Sequence, residues 1–193
     1  MKNGTATIHT PRLVLRKFRA GDAEAMFQNW TNDPEVTRYM TWAPHGDVNI
    51  TRKYVADCVK GYEKPLYFHW ILEKEGEPIG SLGVFEALGG WEMGYCLSRL
   101  HWGEGLMTEA VAGVFHYLFG MKGFRRIFAN YSVYNPGSGR VMEKNGMVRE
   151  GVLRQQMGLQ DGRFSDIIIY GILSEEWAAW ETGHPMEVCI EQS

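Results

Sequence analysis

The sequence predicts a single mixed α/β domain, a mostly antiparallel sheet flanked by helices with one parallel strand step at its centre. Three observations carry that prediction. Apolar residues alternate with period two through "YFHWILEK", "EPIGSLGVFE" and "WEMGYCLS", the pattern of half-buried strands. After Gly105 they recur at helical spacing, at Val111, Val114, Phe115, Leu118 and Phe119,. Strand, glycine-rich turn, helix and strand follow one another there, which sets one parallel β-α-β step in mid-chain. At 193 residues the chain fits one domain with room for a sizeable core,.

The elements follow in order. "LVLRKF" (13–18) reads as a first strand. A helix follows in "AGDAEAMFQNW", with Asp22 as its N-cap and Ala23, Met26, Phe27 and Trp30 on one face,. "TNDPEV" breaks it, and "TWAPHGD" (41–47) is a loop rich in aromatics and breakers,. Asp47 or Asn49 caps a second helix through Tyr54, Val55, Cys58 and Tyr62,. Three strands then form an antiparallel meander linked by "EGE" and "ALGG",. The helix after Gly105 closes near Gly123, and "RRIFANYSVY" (125–134) is the next strand. "NPGSGRVMEKNGM" (135–147) is a short helix with Asn135 as N-cap, Pro136 in the first position and Gly146 just past the end,. "GVLRQQMGLQ" and "RFSDIIIYGIL" form a hairpin about Asp161-Gly162,. "SEEWAAW" adds a final short helix, and residues 1–9 and 183–193 are expected to be flexible tails around a domain spanning 10–180,.

Composition narrows the function. Net charge is −3, so nothing draws the chain to nucleic acid or to an anionic membrane surface,. Three scattered cysteines, Cys58, Cys96 and Cys189, read as reduced thiols of a cytoplasmic protein,. The N-terminus lacks a signal-peptide apolar core, and the longest apolar run, "IIIYGIL", is too short to span a bilayer,. His45 and His69 have no partners at metal-ligand spacing, so no metal is expected,.

Gly103 and Gly105 lie where a helix is about to begin. A helix start offers free N–H groups to an anion, and glycine lets a phosphate approach the backbone, although Gly-x-Gly also serves a plain tight turn. Two nucleotide motifs are excluded. A P-loop needs lysine before the helix, and "GEGLMT" has none,. A dinucleotide fingerprint needs glycine at position 108, where Thr108 stands, and an acid about 20 residues on, where "KGFRRIFANY" has none,.

The stretch Trp102-Gly103-Glu104-Gly105-Leu106-Met107, followed by Thr108-Glu109-Ala110, resembles the pyrophosphate signature of the GNAT superfamily of acyl-CoA-dependent N-acyltransferases. It is most similar to the Rim-type (RimJ/RimL-like) branch, the protein N-terminal acetyltransferases. "TPRLVLRKF", "WEMGYCLS", "NPGSGRVMEKNGM" and the closing hairpin resemble further family segments, in family order. The resemblance implies a GNAT fold whose central parallel strands splay apart, with acetyl-CoA as co-substrate. Residues Trp102, Gly103, Glu104, Gly105, Leu106, Met107 and Thr108 would then wrap the pyrophosphate. The backbone of Tyr95, Cys96, Leu97 and Ser98 would pair with the pantetheine arm, with an N–H near Cys96 polarising the thioester carbonyl. Asn135 and Ser138 would meet the same arm.

Glu92, in an otherwise apolar strand, is the candidate general base, and Ser138 the candidate proton donor to the departing sulfur,. Many family members use a tyrosine where this chain has Met142, which moves the donor role to Ser138 or to water. The acceptor pocket is expected from Tyr39, Trp42, His45, Trp70 and Phe85. Neutralising an α-amine of pKa about 8 near pH 7.4 costs under ~1 kcal/mol, against about 4 for an amine near 10.4. A site with one modest carboxylate suits the α-amine of a protein better than a polyamine. A small-molecule amine as acceptor and a non-catalytic acyl-CoA sensor are the alternatives. The resemblance also allows a homodimer through the C-terminal hairpin.

Overall fold

The computed structural model describes residues 4–87 and 89–191; residues 1–3, 192 and 193 of the expected tails and Leu88 of "ALGG" lie outside the described residues. Nine strands form one sheet in the order β7-β8-β6-β5-β4-β3-β2-β1-β9. In sequence these are β1 (Thr7–His9), β2 (Val14–Arg16), β3 (Phe68–Lys74), β4 (Glu77–Ala87), β5 (Gly90–Leu97), β6 (Arg126–Ser132), β7 (Val148–Gly158), β8 (Phe164–Leu173) and β9 (Cys189–Glu191). The helices are α1 (Asp22–Met26), α2 (Pro34–Thr37), α3 (Val48–Gly61), α4 (Leu106–Phe115), α5 (Pro136–Lys144) and α6 (Ser174–Gly183). Both α1 and α4 run on through a π-turn, to Thr31 and to Met121. All neighbouring strands are antiparallel except β5 and β6, which are parallel as the β-α-β order predicts.

Alternation along the strands sorts side chains between two cores. Phe68, Trp70, Leu72, Leu82, Val84, Met93, Leu97, Ile127 and Ala129 pack with α4, Met142 of α5 and the following elements. Ile71 and Cys96 take the opposite side and pack with Ala23, Met26, Trp30, Val55 and Cys58 of α1 to α3. Helix α3 begins where Asp47 accepts from the N–H of Asn49, one of the two caps expected,. Helix α5 carries Pro136 in its first turn, and Gly146 beyond its end adopts φ +75°, the left-handed conformation that glycine tolerates,.

The structure corrects several expectations. Residues 4–9 and 189–191 are not loose: Ala6 and Ile8 are buried, and β1 pairs with both β2 and β9. Asp22 does not cap α1. It is buried and grips the Arg16 guanidinium with both oxygens, at 2.8 and 2.9 Å, while Glu73 takes Arg16 Nε at 2.6 Å. Asn135 holds the N-cap position of α5, yet its side chain makes no capping bond. Asp161-Gly162 lies in a five-residue link between β7 and β8, closed by the Leu159 N–H on the Arg163 carbonyl at 2.8 Å, rather than in a two-residue turn.

Removing Asp22 leaves the buried Arg16 charge with one carboxylate in place of two. Asp22→Ala is expected to cost about 3–5 kcal/mol of unfolding free energy in urea. Asp57→Ala, which breaks only the exposed pair with Lys53, is expected to leave the midpoint in place,. Equal midpoints for the two variants would contradict this account of how β2 is tied to α1.

Candidate active site

Strands β5 and β6 pair at only two positions, Trp91 with Ile127 and Glu92 with Phe128. Beyond Glu92 the edge of β5 that faces β6 is open, and a cavity of about 890 Å³ occupies the opening. Because the sheet is parted there, both of its faces contribute walls. Glu92, Gly94 and Cys96 line the cavity from one face, and Met93, Tyr95 and Leu97 from the other,.

The backbone of β5 can be followed group by group. The Ser98 N–H donates to the Ile79 carbonyl at 2.7 Å, toward β4. Successive residues of a strand direct their N–H groups to opposite sides. The N–H of Cys96 therefore faces β4, where Cys96 pairs with Ser81, and those of Tyr95 and Leu97 face the opening. The Leu97 carbonyl agrees with this parity, since it accepts from the Trp102 indole N–H at 2.9 Å on the far side. This corrects one expectation and narrows another: Ser98 is buried, committed to Ile79 and outside the cavity wall, and of the amides near Cys96 it is those of Tyr95 and Leu97 that face the opening.

After β5 the chain turns through residues 99–105 into α4. Gly103 and Gly105 adopt φ of +82° and +77°, and a Cβ on Gly103 would meet no heavy atom within 4 Å. The glycines are required by the left-handed backbone, with open space before them. The first-turn N–H groups of α4, from Leu106 to Thr108, have no intrahelical partner,. Arg12 braces this turn from outside, bonding the Glu104 carbonyl at 2.9 Å and Glu109 at 2.6 Å. Trp102, Gly103, Gly105, Leu106, Met107 and Thr108 all border the cavity. Glu104 does not: its carboxylate pairs with Lys74 and His101, which hold it below the usual carboxylate range, so only its backbone belongs to the turn.

Glu92 lines the cavity, and one of its oxygens accepts from the Asn130 amide at 2.6 Å across the opening. Phe85 stands directly opposite on β4. Ser138 Oγ donates to the Tyr95 hydroxyl at 3.0 Å, and that hydroxyl donates to the Ser138 carbonyl at 2.9 Å. Burial pushes the Tyr95 phenol well above its ordinary pKa, so it stays protonated,. Asn135, free of capping, also borders the cavity, as does Met142.

Of the expected acceptor residues, Tyr39, Trp42, His45 and Phe85 line the cavity. Trp70 does not. It is fully buried on the other face of β3, with its indole N–H on the Ala6 carbonyl at 2.7 Å. Alternation along β3 puts His69 in the wall instead, with Tyr54 of α3. Gly83 makes this possible, because a Cβ there would fall 2.3 Å from the Phe85 ring and 3.1 Å from His69. His69 is enclosed by Phe18, Tyr54, Tyr67, Phe85 and Cys58. Burial lowers its pKa to about 4, so the imidazole is neutral at pH 7,. Sequence reasoning missed His69, Tyr54 and Asn130; alternation from Glu92 and a strand register would have found the first and last.

Similarity to known proteins agrees with this geometry. A family model described as acetyltransferase (GNAT) domain matches residues 12–148. Over 177 residues the chain is 33% identical to "Uncharacterized N-acetyltransferase p20" of Bacillus licheniformis, which covers 89% of this chain and 98% of that protein. Over 123 residues it is 32% identical to the ribosomal-protein-serine acetyltransferase of Escherichia coli (strain K12), covering 62% and 68%. A solved GNAT-family acetyltransferase from Bacillus anthracis is similar with a TM-score of 0.77 at 26% identity, covering 88% of this chain and 99% of that one.

The buried neutral His69 has a consequence for stability. Its pKa falls from 6.5 when unfolded to about 4 when folded, so between those values the unfolded chain binds the extra proton. Stability from this group is full above pH 6.5 and is lost as pH falls toward 4, by up to about 3 kcal/mol. Urea titrations at several pH values are expected to show the gap between wild type and His69→Asn narrowing as pH drops from 6.5 to 4. A constant gap would contradict a neutral, buried imidazole.

Proposed function

This chain belongs to the acetyltransferase (GNAT) family, and from that premise we propose that it moves the acetyl group of acetyl-CoA to a primary amine, the N-terminal α-amine of a protein being the acceptor. The observation that carries the reading is the opening in the sheet, with a glycine turn and free helix N–H groups among its walls and a carboxylate facing it. Acetyl-CoA fits these walls. Gly103, Gly105 and the first turn of α4 would hold its pyrophosphate, and the exposed amides of Tyr95 and Leu97 the pantetheine arm,. Bound there, it supplies an acetyl group activated as a thioester.

The chain's own residues then have distinct tasks. Glu92, oriented by Asn130 through one oxygen, accepts a proton from the amine with the other,. The Tyr95 or Leu97 N–H polarises the acyl carbonyl, a contribution of roughly 100-fold or more for a well-aimed donor. Ser138 donates a hydrogen bond to the departing sulfur, which leaves as the thiol with the second proton lost by the acetylated nitrogen. Hydroxyl hydrogens rotate freely, so Tyr95 can turn its O–H onto Ser138 Oγ while Ser138 turns its own into the cavity,.

Two considerations favour a protein terminus. An α-amine needs little help to lose its proton, which matches a single carboxylate. The Escherichia coli relative is named for a ribosomal-protein serine. A second reading, a compact amine, is favoured by the clustered aromatic wall of Trp42, Tyr54, His69 and Phe85.

Thiol release from acetyl-CoA, followed over peptides with Ser, Ala or Met N-termini, polyamines, aminoglycosides and amino acids, decides between them. Turnover of a peptide supports the first reading; turnover of small amines alone replaces it with the second. With the acceptor in hand, Glu92→Gln is expected to lower kcat/KM by roughly 100-fold or more while calorimetry finds acetyl-CoA affinity unchanged. Unaltered turnover would remove Glu92 as base. Gly105→Val, strained at its φ of +77°, is expected to weaken acetyl-CoA binding about tenfold or more with little change in the acceptor KM,.

A further inference from the structure

The loop that brings Tyr39, Met40, Thr41 and Trp42 to the cavity is held from an unexpected quarter. Gln160, at the tip of the β7–β8 hairpin, directs one amide nitrogen at two backbone carbonyls, that of Thr37 at 2.8 Å and that of Trp42 at 3.0 Å. These carbonyls bracket the loop at either end, and they lie 123 and 118 residues from Gln160 in sequence. Leu159 beside it is buried and shares the wall of a small cavity with Arg38 and Tyr39, and Met157 of the same hairpin lines the large cavity. From the other side Met40 and Trp42 pack against the core of α1 to α3, and His45 Nδ1 lies 2.9 Å from the Thr51 hydroxyl. The Met40 N–H bonds Thr37 at 2.9 Å, and the His45 N–H bonds Thr31 at 2.8 Å.

We propose that Gln160 is a positioning residue for the acceptor: it clasps the hairpin tip to residues 37–42 and so fixes the aromatic wall against which the amine substrate lies. The inference rests on the reading of that wall as the acceptor end, and it holds for a peptide or a small amine alike. Gln160 touches neither the glycine turn nor Glu92, so it acts on where the acceptor sits and not on the chemistry or on acetyl-CoA. An amide is suited to the task. Its nitrogen carries two hydrogens, one for each carbonyl, and a carboxylate in its place would have none.

The test uses Gln160→Ala and Gln160→Glu with the full chain. Amide hydrogen exchange, which needs no acceptor, is expected to speed about tenfold or more at residues 38–46 in both variants and to stay unchanged in β3 to β5. With an acceptor that wild type acetylates, both variants are expected to raise the acceptor KM about tenfold, with kcat and the acetyl-CoA KM within twofold of wild type. Unchanged exchange at 38–46 would overturn the clasp itself. Faster exchange with an unchanged acceptor KM would overturn its role toward the acceptor, as would parallel losses in kcat, acetyl-CoA KM and thermal midpoint, the mark of general destabilisation. Failure of wild type to acetylate any amine would count against the acceptor reading instead, and the exchange result would still judge the clasp.

Discussion

Two parallel strands that run side by side would bond along their whole length and close the sheet. In this protein β5 and β6 bond only at Trp91–Ile127 and Glu92–Phe128 and then part. A parted sheet leaves backbone groups of β5 without a strand partner, and a buried unpaired N–H or carbonyl carries a cost of about 1–3 kcal/mol. The protein covers part of that cost itself, since the Trp102 indole takes the Leu97 carbonyl. The amides of Tyr95 and Leu97 stay open to the cavity. An extended amide-bearing ligand can complete the sheet there, so the constraint that opens the fold also specifies what fills it.

Strand alternation distributes the remaining functions. Odd residues of β5 send side chains toward α4 and α5, where Tyr95 meets Ser138; even residues send them toward α1 to α3, where Glu92 meets Asn130 and faces Phe85. The proposed proton acceptor, Glu92, and the proposed donor, Ser138, therefore meet the opening from opposite faces of one sheet. Glycines serve two ends: Gly83 gives room to Phe85 and His69, where a Cβ would clash, and Gly103 and Gly105 permit the left-handed backbone of the turn before α4,. The long-range ties, Arg16 with Asp22 and Gln160 with Thr37 and Trp42, hold the helices and loop that wall the proposed acceptor end.

Much of this was legible in the sequence because it depends on local chemistry. The meander, the parallel step, the cap at Asp47, Gly146 and the glycine turn each announce themselves within a few residues. What the sequence hid depends on distant partners. Strand β1 pairs with β9 across almost the whole chain, and three-residue strands carry no periodic signal. Asp22 has the look of a cap until Arg16 folds onto it. Trp70 and His69 are neighbours with equal claim to the pocket, and only the register of β3 decides that His69 faces it. The N–H assignments of Cys96 and Tyr95 likewise turn on a bond that Ser98 makes to Ile79.

The central claim is that the open edge of β5 receives the acetyl donor's arm, and its alternation makes that claim sharp. Amide hydrogen exchange should be followed residue by residue along β5, with and without saturating coenzyme A. The account predicts that Tyr95 and Leu97 gain protection, while Gly94 and Cys96, already bonded to β4, change little. Protection gained equally along the strand, or gained elsewhere with Tyr95 and Leu97 unaffected, would contradict it.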